Sequence, residues 1–457
     1  MSAKTKIDRG RPGRRHEPDP TPVAEQLTLR RSLPPILAAA LVFTASGAVL
    51  VLEILSVRLL APYVGLTLET TTSIIGAVLA GIAAGAAIGG WLADRVNPRR
   101  LLVGLLIGGG LLVFVTVPII RALGPPATEG GTLAAVGVTF AALVPVAAVL
   151  SGVTPTVAHL QLSDLRASGT VVGRLSGWAT AGALIGTFGT GFVLVPLLPV
   201  SSSILAIGAL LVLTGFALAA YIGLLGRSVA ALTLVGTLGL GGLTHVQSSP
   251  CEAETSYECI RVEPDGENPA ADVLVLNRIY NSDIDPSDPR YLGFRYERWI
   301  AQAIEESAPP AEPLNAVFVG GGAFTLPRWL QAVRPGSRAN VLEVDGGLVE
   351  FDRTVLALRT NPSLRAIVGD ARVTIRRLPS ASADVVVGDA FSGLTVPWQL
   401  MTREWMSEVH RVLRPAALYV LNMVDLPPLR LLRAEAATLL VGFANVSMVS
   451  EPGSKGL

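Results

Sequence analysis

Val317-Phe318-Val319-Gly320-Gly321-Gly322-Ala323-Phe324-Thr325 is an apolar strand running into a glycine turn, and Val341-Leu342-Glu343 is a second apolar run that ends on an acid. A glycine turn lets the backbone come close to a ligand, and the helix after it offers its N-terminus to that ligand. Glu343 lies 21 residues beyond Gly322, where a carboxylate at the end of the next strand can accept both ribose hydroxyls of a nucleoside. Two more runs end the same way, Ala366-Ile367-Val368-Gly369-Asp370 and Ala383-Asp384-Val385-Val386-Val387-Gly388-Asp389. One such acid is an ordinary helix cap. Three at successive strand ends, Glu343, Asp370 and Asp389, converge on the crevice where open α/β sheets bind ligands. The stretch from Val317 to Asp389 therefore predicts a nucleoside-binding half of a doubly wound α/β domain. NAD fits the strand and acid spacing, but Thr325 stands where the third glycine of G-x-G-x-x-G belongs.

Outward from this stretch, the composition is split. Half of the 457 residues are hydrophobic and 16% are charged, well below the roughly 25% charged of soluble domains. Runs of about 20 apolar residues suffice to cross a bilayer core, and seven occur, near 34–56, 71–92, 101–120, 132–158, 176–197, 202–223 and 228–246. The predicted inward segments carry Lys4, Lys6, Arg9, Arg11, Arg14, Arg15, Arg30, Arg31, Arg95, Arg99, Arg100, Arg166, Arg174 and Arg227; the outward loops carry Arg58 and Arg121. By the positive-inside rule the N-terminus is cytoplasmic and everything after 246 lies outside. The basic tail over 1–32 reads as disordered and as a topology determinant, with anionic lipid or nucleic acid as the competing partners. It lacks the shape of a cleaved signal peptide.

Cys251 and Cys259 are the only cysteines, too few ligands at hand for a zinc site. They predict a local disulfide, in keeping with an extracytoplasmic position. Within the spans, Gly81-Ile82-Ala83-Ala84-Gly85-Ala86-Ala87-Ile88-Gly89-Gly90 predicts close helix packing. Glu53 and Arg58 read as an ion pair near a helix end, or as a polar lining for a substrate path. After the spans, short β-type runs at Ile260-Arg261-Val262 and Val273-Leu274-Val275-Leu276 predict a hairpin domain, followed by an amphipathic helix from Tyr291 to Ser307. The resulting order is a tail over 1–32, a transmembrane domain of about seven helices over 33–247, a hairpin-and-helix segment over 256–310, and an α/β domain over 313–457. A sixth strand is expected around Asn445-Val446-Ser447-Met448-Val449, and no closing seventh strand follows. His16, His159, His245 and His410 sit beside none of the crevice motifs, which leaves metalloenzyme and Ser-His-Asp hydrolase readings without residues.

Val319-Gly320-Gly321-Gly322, Leu342-Glu343-Val344-Asp345, Val368-Gly369-Asp370-Ala371 and Val387-Gly388-Asp389-Ala390-Phe391 resemble the successive motifs of the spermidine synthase (polyamine aminopropyltransferase) family. Ser46-Gly47-Ala48 through Glu53, Arg58-Leu59-Leu60-Ala61-Pro62, Gly90-Trp91-Leu92-Ala93-Asp94-Arg95 and Thr402-Arg403-Glu404-Trp405 resemble its membrane-embedded, transporter-fused branch. The resemblance implies a multi-pass α-helical membrane domain followed by an α/β Rossmann-like class I S-adenosylmethionine-dependent transferase domain. It implies aminopropyl transfer from decarboxylated S-adenosylmethionine, or use of S-adenosylmethionine itself, with a small amine as acceptor and no metal.

By position, Asp389 matches the family's catalytic acid, Glu343 its ribose-binding acid, Asp370 with Ala371 its adenine-side contact, and Gly320, Gly321 and Gly322 its glycine loop. Tyr296 resembles the substrate-side tyrosine, with Glu297 where bacterial members often have His. Two family acids are missing: Ala323-Phe324 replaces the one after the glycines, and Ala390-Phe391-Ser392-Gly393 follows Asp389 in place of an acid-bearing loop. Expected partners are membrane lipid and a small amine, with no nucleic acid and with room for a homo-oligomer. The competing reading is a polyamine or amine transporter, or a sensor, whose α/β domain binds a nucleoside without catalysis.

Overall fold

The computed structural model describes residues 33–162, 168–224 and 249–450, together with 236, 239 and 242. Six of its helices are long and apolar enough to cross a membrane: α1 (Pro35–Val64), α2 (Leu68–Ala93), α3 (Pro98–Thr128), α4 (Gly131–Gln161), α5 (Ser168–Leu197) and α6 (Val200–Tyr221). Their ends follow local signals. Pro35 opens α1, Thr67 caps α2 by accepting from the Thr70 N–H at 3.2 Å, and Asn97 caps α3. Small residues set the packing, since a Cβ on Gly85 would lie 2.0 Å from the Ala148 carbonyl oxygen and one on Gly182 would lie 2.2 Å from that of Phe43. Helices α2 and α4, and α1 and α5, thus meet backbone to backbone.

The seventh expected span, 228–246, lies almost wholly outside the described residues. The docking of the next domain nevertheless fixes where the chain stands on either side of it. The connections 65–67 and 198–199 lie at one end of the bundle, and Gln161, which donates to the Leu33 carbonyl at 2.6 Å, lies at the other. Pro250 and Cys251 line the same cavity as Leu66 and Val200. Tyr221, one helix length of about 33 Å from Val200, is at the far end.

The first soluble element is an antiparallel sheet in the order β1 (Ala253–Glu254), β2 (Cys259–Pro264), β3 (Asp272–Leu276), β4 (Ile279–Ile284). Asn277 turns β3 into β4 at φ 55°, a conformation that asparagine tolerates better than most residues. Cys251 and Cys259 are joined by a disulfide. Helix α7 (Arg295–Glu306) follows; it starts at Arg295 rather than Tyr291, because Asp283 accepts the Phe294 N–H at 2.6 Å and holds the preceding residues outside the helix.

Five parallel strands form the second sheet: β5 (Asn315–Val319), β6 (Arg338–Glu343), β7 (Leu364–Val368), β8 (Ala383–Gly388) and β9 (Leu413–Leu421). Their order is β7-β6-β5-β8-β9. The connections are helices α8 (Thr325–Val333), α9 (Gly346–Thr354), the single turn α10 (Ala371–Thr374) and α11 (Arg403–Val412), with α12 (Arg430–Gly442) after β9. Apolar clusters cover both faces of the sheet, one around Phe318, Val341 and Val387 and the other around Val317, Leu342 and Val386. The expected strand over 445–449 does not form. Strand order reverses between β5 and β8, which places a ligand crevice at their carboxyl ends.

Candidate functional site

The crevice collects the sequence-predicted residues in order. Gly320 follows β5 with φ 99°, and a Cβ there would lie 2.3 Å from the Asp389 carbonyl oxygen. Gly322 has φ 49°, and its Cβ would lie 2.2 Å from the Ser282 hydroxyl. Both glycines are therefore required by the protein's own packing, with the hairpin sheet pressed onto the turn. The Gly321 N–H donates to one oxygen of Glu343 at 2.7 Å, and the Asp345 N–H donates to the other at 2.8 Å. Burial pushes the Glu343 carboxyl up, while these N–H groups pull it back. Each of its oxygens keeps a lone pair for a further donor such as a ribose hydroxyl.

Asp389 is anchored by its own N–H to the Val319 carbonyl at 2.8 Å. Its side chain accepts from the Asn422 amide at 2.9 Å and faces the Tyr296 hydroxyl. Protein atoms enclose it on most sides, and burial raises its carboxyl to about 6, against the lowering effect of Asn422 and Tyr296. Tyr296 donates to the Asn281 carbonyl at 3.1 Å, and burial beside Asp389 and Glu297 holds its hydroxyl well above the usual phenol range. Asp370 ends β7 next to Glu343, tied through the Gly369 N–H to the Glu343 carbonyl at 2.8 Å. Its carboxylate accepts from Arg372, which holds it below the usual range. The Ala371 side chain packs into the apolar core.

Several contributors escape the sequence motifs. Asn422 fixes the rotamer of Asp389, and its only sequence signal is a polar residue closing the apolar run Tyr419-Val420-Leu421. Asp283 and Glu297 are buried 1% and 2% exposed, each with one oxygen lacking a hydrogen-bond partner. Burial raises both, Glu297 well above the carboxylate range, with Asp283 and Asp389 adding to it. These two acids bring carboxyl groups from the hairpin and α7 toward the Asp389 side of the crevice, while burial disfavours their charged form. Tyr257 stands at the crevice rim within electrostatic reach of Asp345, Asp370 and Glu343. Among the described residues no cluster of three His, Cys, Asp or Glu is placed to hold a metal.

No family model matches the chain. A probable spermidine synthase from Corynebacterium glutamicum ATCC 13032 is 32% identical across 41% of this chain and 68% of its own length, at a TM-score of 0.39. The chain is thus similar to spermidine synthases over about two fifths of its length. A second relative, the polyamine aminopropyltransferase of Vibrio vulnificus (strain CMCP6), is 30% identical over 140 residues, which is 30% of this chain. The chain spans 46% of that curated relative's length. The spermidine synthase of Thermotoga maritima is 18% identical over 42% of this chain and 63% of its own, at a TM-score of 0.34. Six helices long and apolar enough to cross a membrane precede the α/β half.

Proposed function

We propose that this protein transfers an aminopropyl group from decarboxylated S-adenosylmethionine to an amine acceptor. The observation that carries the proposal is the pairing of Glu343, poised to receive ribose hydroxyls, with Asp389 across the β5–β8 switch point. The sulfonium is already a good leaving group, so the barrier lies with the acceptor. An alkylamine with a pKa of about 10.4 is protonated at pH 7, and freeing its lone pair costs about 4.6 kcal/mol. Asp389 holds the ammonium and takes its proton. The amine nitrogen then forms a bond to the aminopropyl carbon, the carbon–sulfur bond breaks, and its electron pair leaves with methylthioadenosine. A carboxyl raised to about 6 is a stronger base than an ordinary aspartate and is still ionised at neutral pH. Tyr296 borders the same carboxylate, on the side from which an acceptor enters.

In this reading Glu343 and the Gly320-Gly321-Gly322 turn bind the nucleoside, with Asp370 and Ala371 on its adenine side. The Arg372 pair fixes Asp370 and leaves its edge accessible. The test is incubation of the purified full chain with labelled decarboxylated S-adenosylmethionine and a panel of mono- and diamines. Methylthioadenosine should appear with at least one amine; its absence with every amine sinks the transferase and leaves a nucleoside-binding transporter or sensor. The arginine bias of the loops and the disulfide support an extracytoplasmic position for the α/β domain, and activity in cells then requires the cofactor on that side.

A further inference from the structure

The docking contacts between bundle and soluble half concentrate on one segment. Arg58, half-buried near the end of α1, donates to the Ser256 carbonyl and, at 3.3 Å, to the Thr255 carbonyl. The Thr255 hydroxyl bonds the Asp345 carboxylate and accepts the N–H groups of Tyr257 at 3.1 Å and Glu258 at 2.9 Å. Asp345 is 3% exposed, caps α9 through the Gly347 N–H at 2.9 Å, and gives its own N–H to Glu343. Glu343 accepts from Gly321 in the glycine turn. Hydrogen bonds joined through the covalent frames of Thr255 and Asp345 therefore connect an apolar helix of the bundle to the carboxylate assigned to the ribose. The Asp345–Glu343 bond is buried and the others are partly buried, so each fixes the residue that carries the next.

The surroundings show that Arg58 is placed for this contact. Of the two readings for Glu53 and Arg58, an ion pair or a polar lining, the pair is not what forms: Arg58 turns to the carbonyls of the 255–256 segment. Glu254, Tyr257, Glu258 and Asp345 all lie within its electrostatic reach. Its side chain forms part of the wall of a cavity of about 280 Å³ between the bundle end and the hairpin sheet. Neighbouring contacts hold the same joint from other helices, with Ser201 donating to Glu254 at 2.9 Å and Ser256 to the Val195 carbonyl at 3.2 Å.

We infer that Arg58 is a positioning residue for the nucleoside, setting the Asp345–Glu343 pair through Thr255 and so linking cofactor affinity to the membrane bundle. This rests on the nucleoside-binding reading above, and its test reads binding rather than turnover. Methylthioadenosine is titrated calorimetrically into the full chain in detergent micelles. Arg58→Gln and Thr255→Val should each weaken binding about tenfold, the effect of losing one well-placed, shielded hydrogen bond. Because both cut the same series, the double variant should be no weaker than the worse single variant. Thr255→Ser, which keeps the hydroxyl, should bind as the wild type does. In turnover assays the KM for the decarboxylated cofactor should rise while kcat and the acceptor KM hold, a split that general loss of fold does not give. Unchanged single variants, or a double variant weakened by the product of the two, overturns the inference. Failure of the wild-type chain to bind methylthioadenosine overturns the nucleoside reading and the inference with it.

Discussion

Asp389 shows how one residue acquires its chemistry from position. At the end of β8 it is tied to Val319 by its backbone and to Asn422 by its side chain, and burial sets its proton affinity. Asp389→Asn keeps the shape and loses the base, so turnover should fall roughly 100-fold or more while methylthioadenosine still binds. Full turnover in that variant removes the assignment. The rate should climb as pH rises through about 6, where Asp389 loses its proton. Asn422→Leu removes a bond that favours the ionised form, so this limb should move to higher pH, which a pH–rate profile reads directly. The sign for stability is opposite. A carboxyl raised from 3.8 to about 6 contributes stability that is complete below its unfolded value and is lost as pH rises through 6.

Elements carry the next level of constraint. The glycine turn works because β5, β8 and the hairpin sheet leave no room for side chains there. Gly320→Ala meets both a left-handed φ and the Asp389 carbonyl, and should cost on the order of 1–3 kcal/mol, measured as a lowered melting temperature with loss of nucleoside binding. In the bundle, Gly85→Val should separate α2 from α4, seen as loss of a monodisperse detergent-solubilised peak.

These elements also show what a sequence reveals. Strand β5, the acids at the ends of β6, β7 and β8, and the six described spans were legible because each is a local pattern of apolar length and terminal polarity. Strand β4 and the place of Asp283 were not. Ile279-Tyr280-Asn281-Ser282-Asp283-Ile284 carries polar residues toward the glycine turn, so its alternation breaks where it is functional. Asn422 reaches Asp389, and Thr255 reaches Asp345, across long stretches of chain, and no local period announces these contacts. The Glu53–Arg58 expectation failed for the same reason, because the competing carbonyls lie almost 200 residues away.

At the scale of the molecule, the soluble half rests on the bundle end that carries the 65–67 and 198–199 connections, opposite Leu33. With a cytoplasmic N-terminus that end is extracytoplasmic, whatever lies between Tyr221 and Pro250. A membrane-impermeant maleimide applied to intact cells should therefore label Cys251 and Cys259 only after reduction. Labelling that requires permeabilised cells places the domain in the cytoplasm, beside the usual supply of adenosyl cofactors.

The disulfide gives this joint an added mechanical character. Thr255, Ser256, Tyr257 and Glu258 all lie inside the loop that the Cys251–Cys259 bond closes, so the segment gripped by Arg58 and the segment touching Asp345 are one short covalent ring. A ring of this size cannot stretch as an open linker does. The contact with α1 and the contact with Asp345 are thereby held at a short, closed separation rather than at the two ends of an open linker.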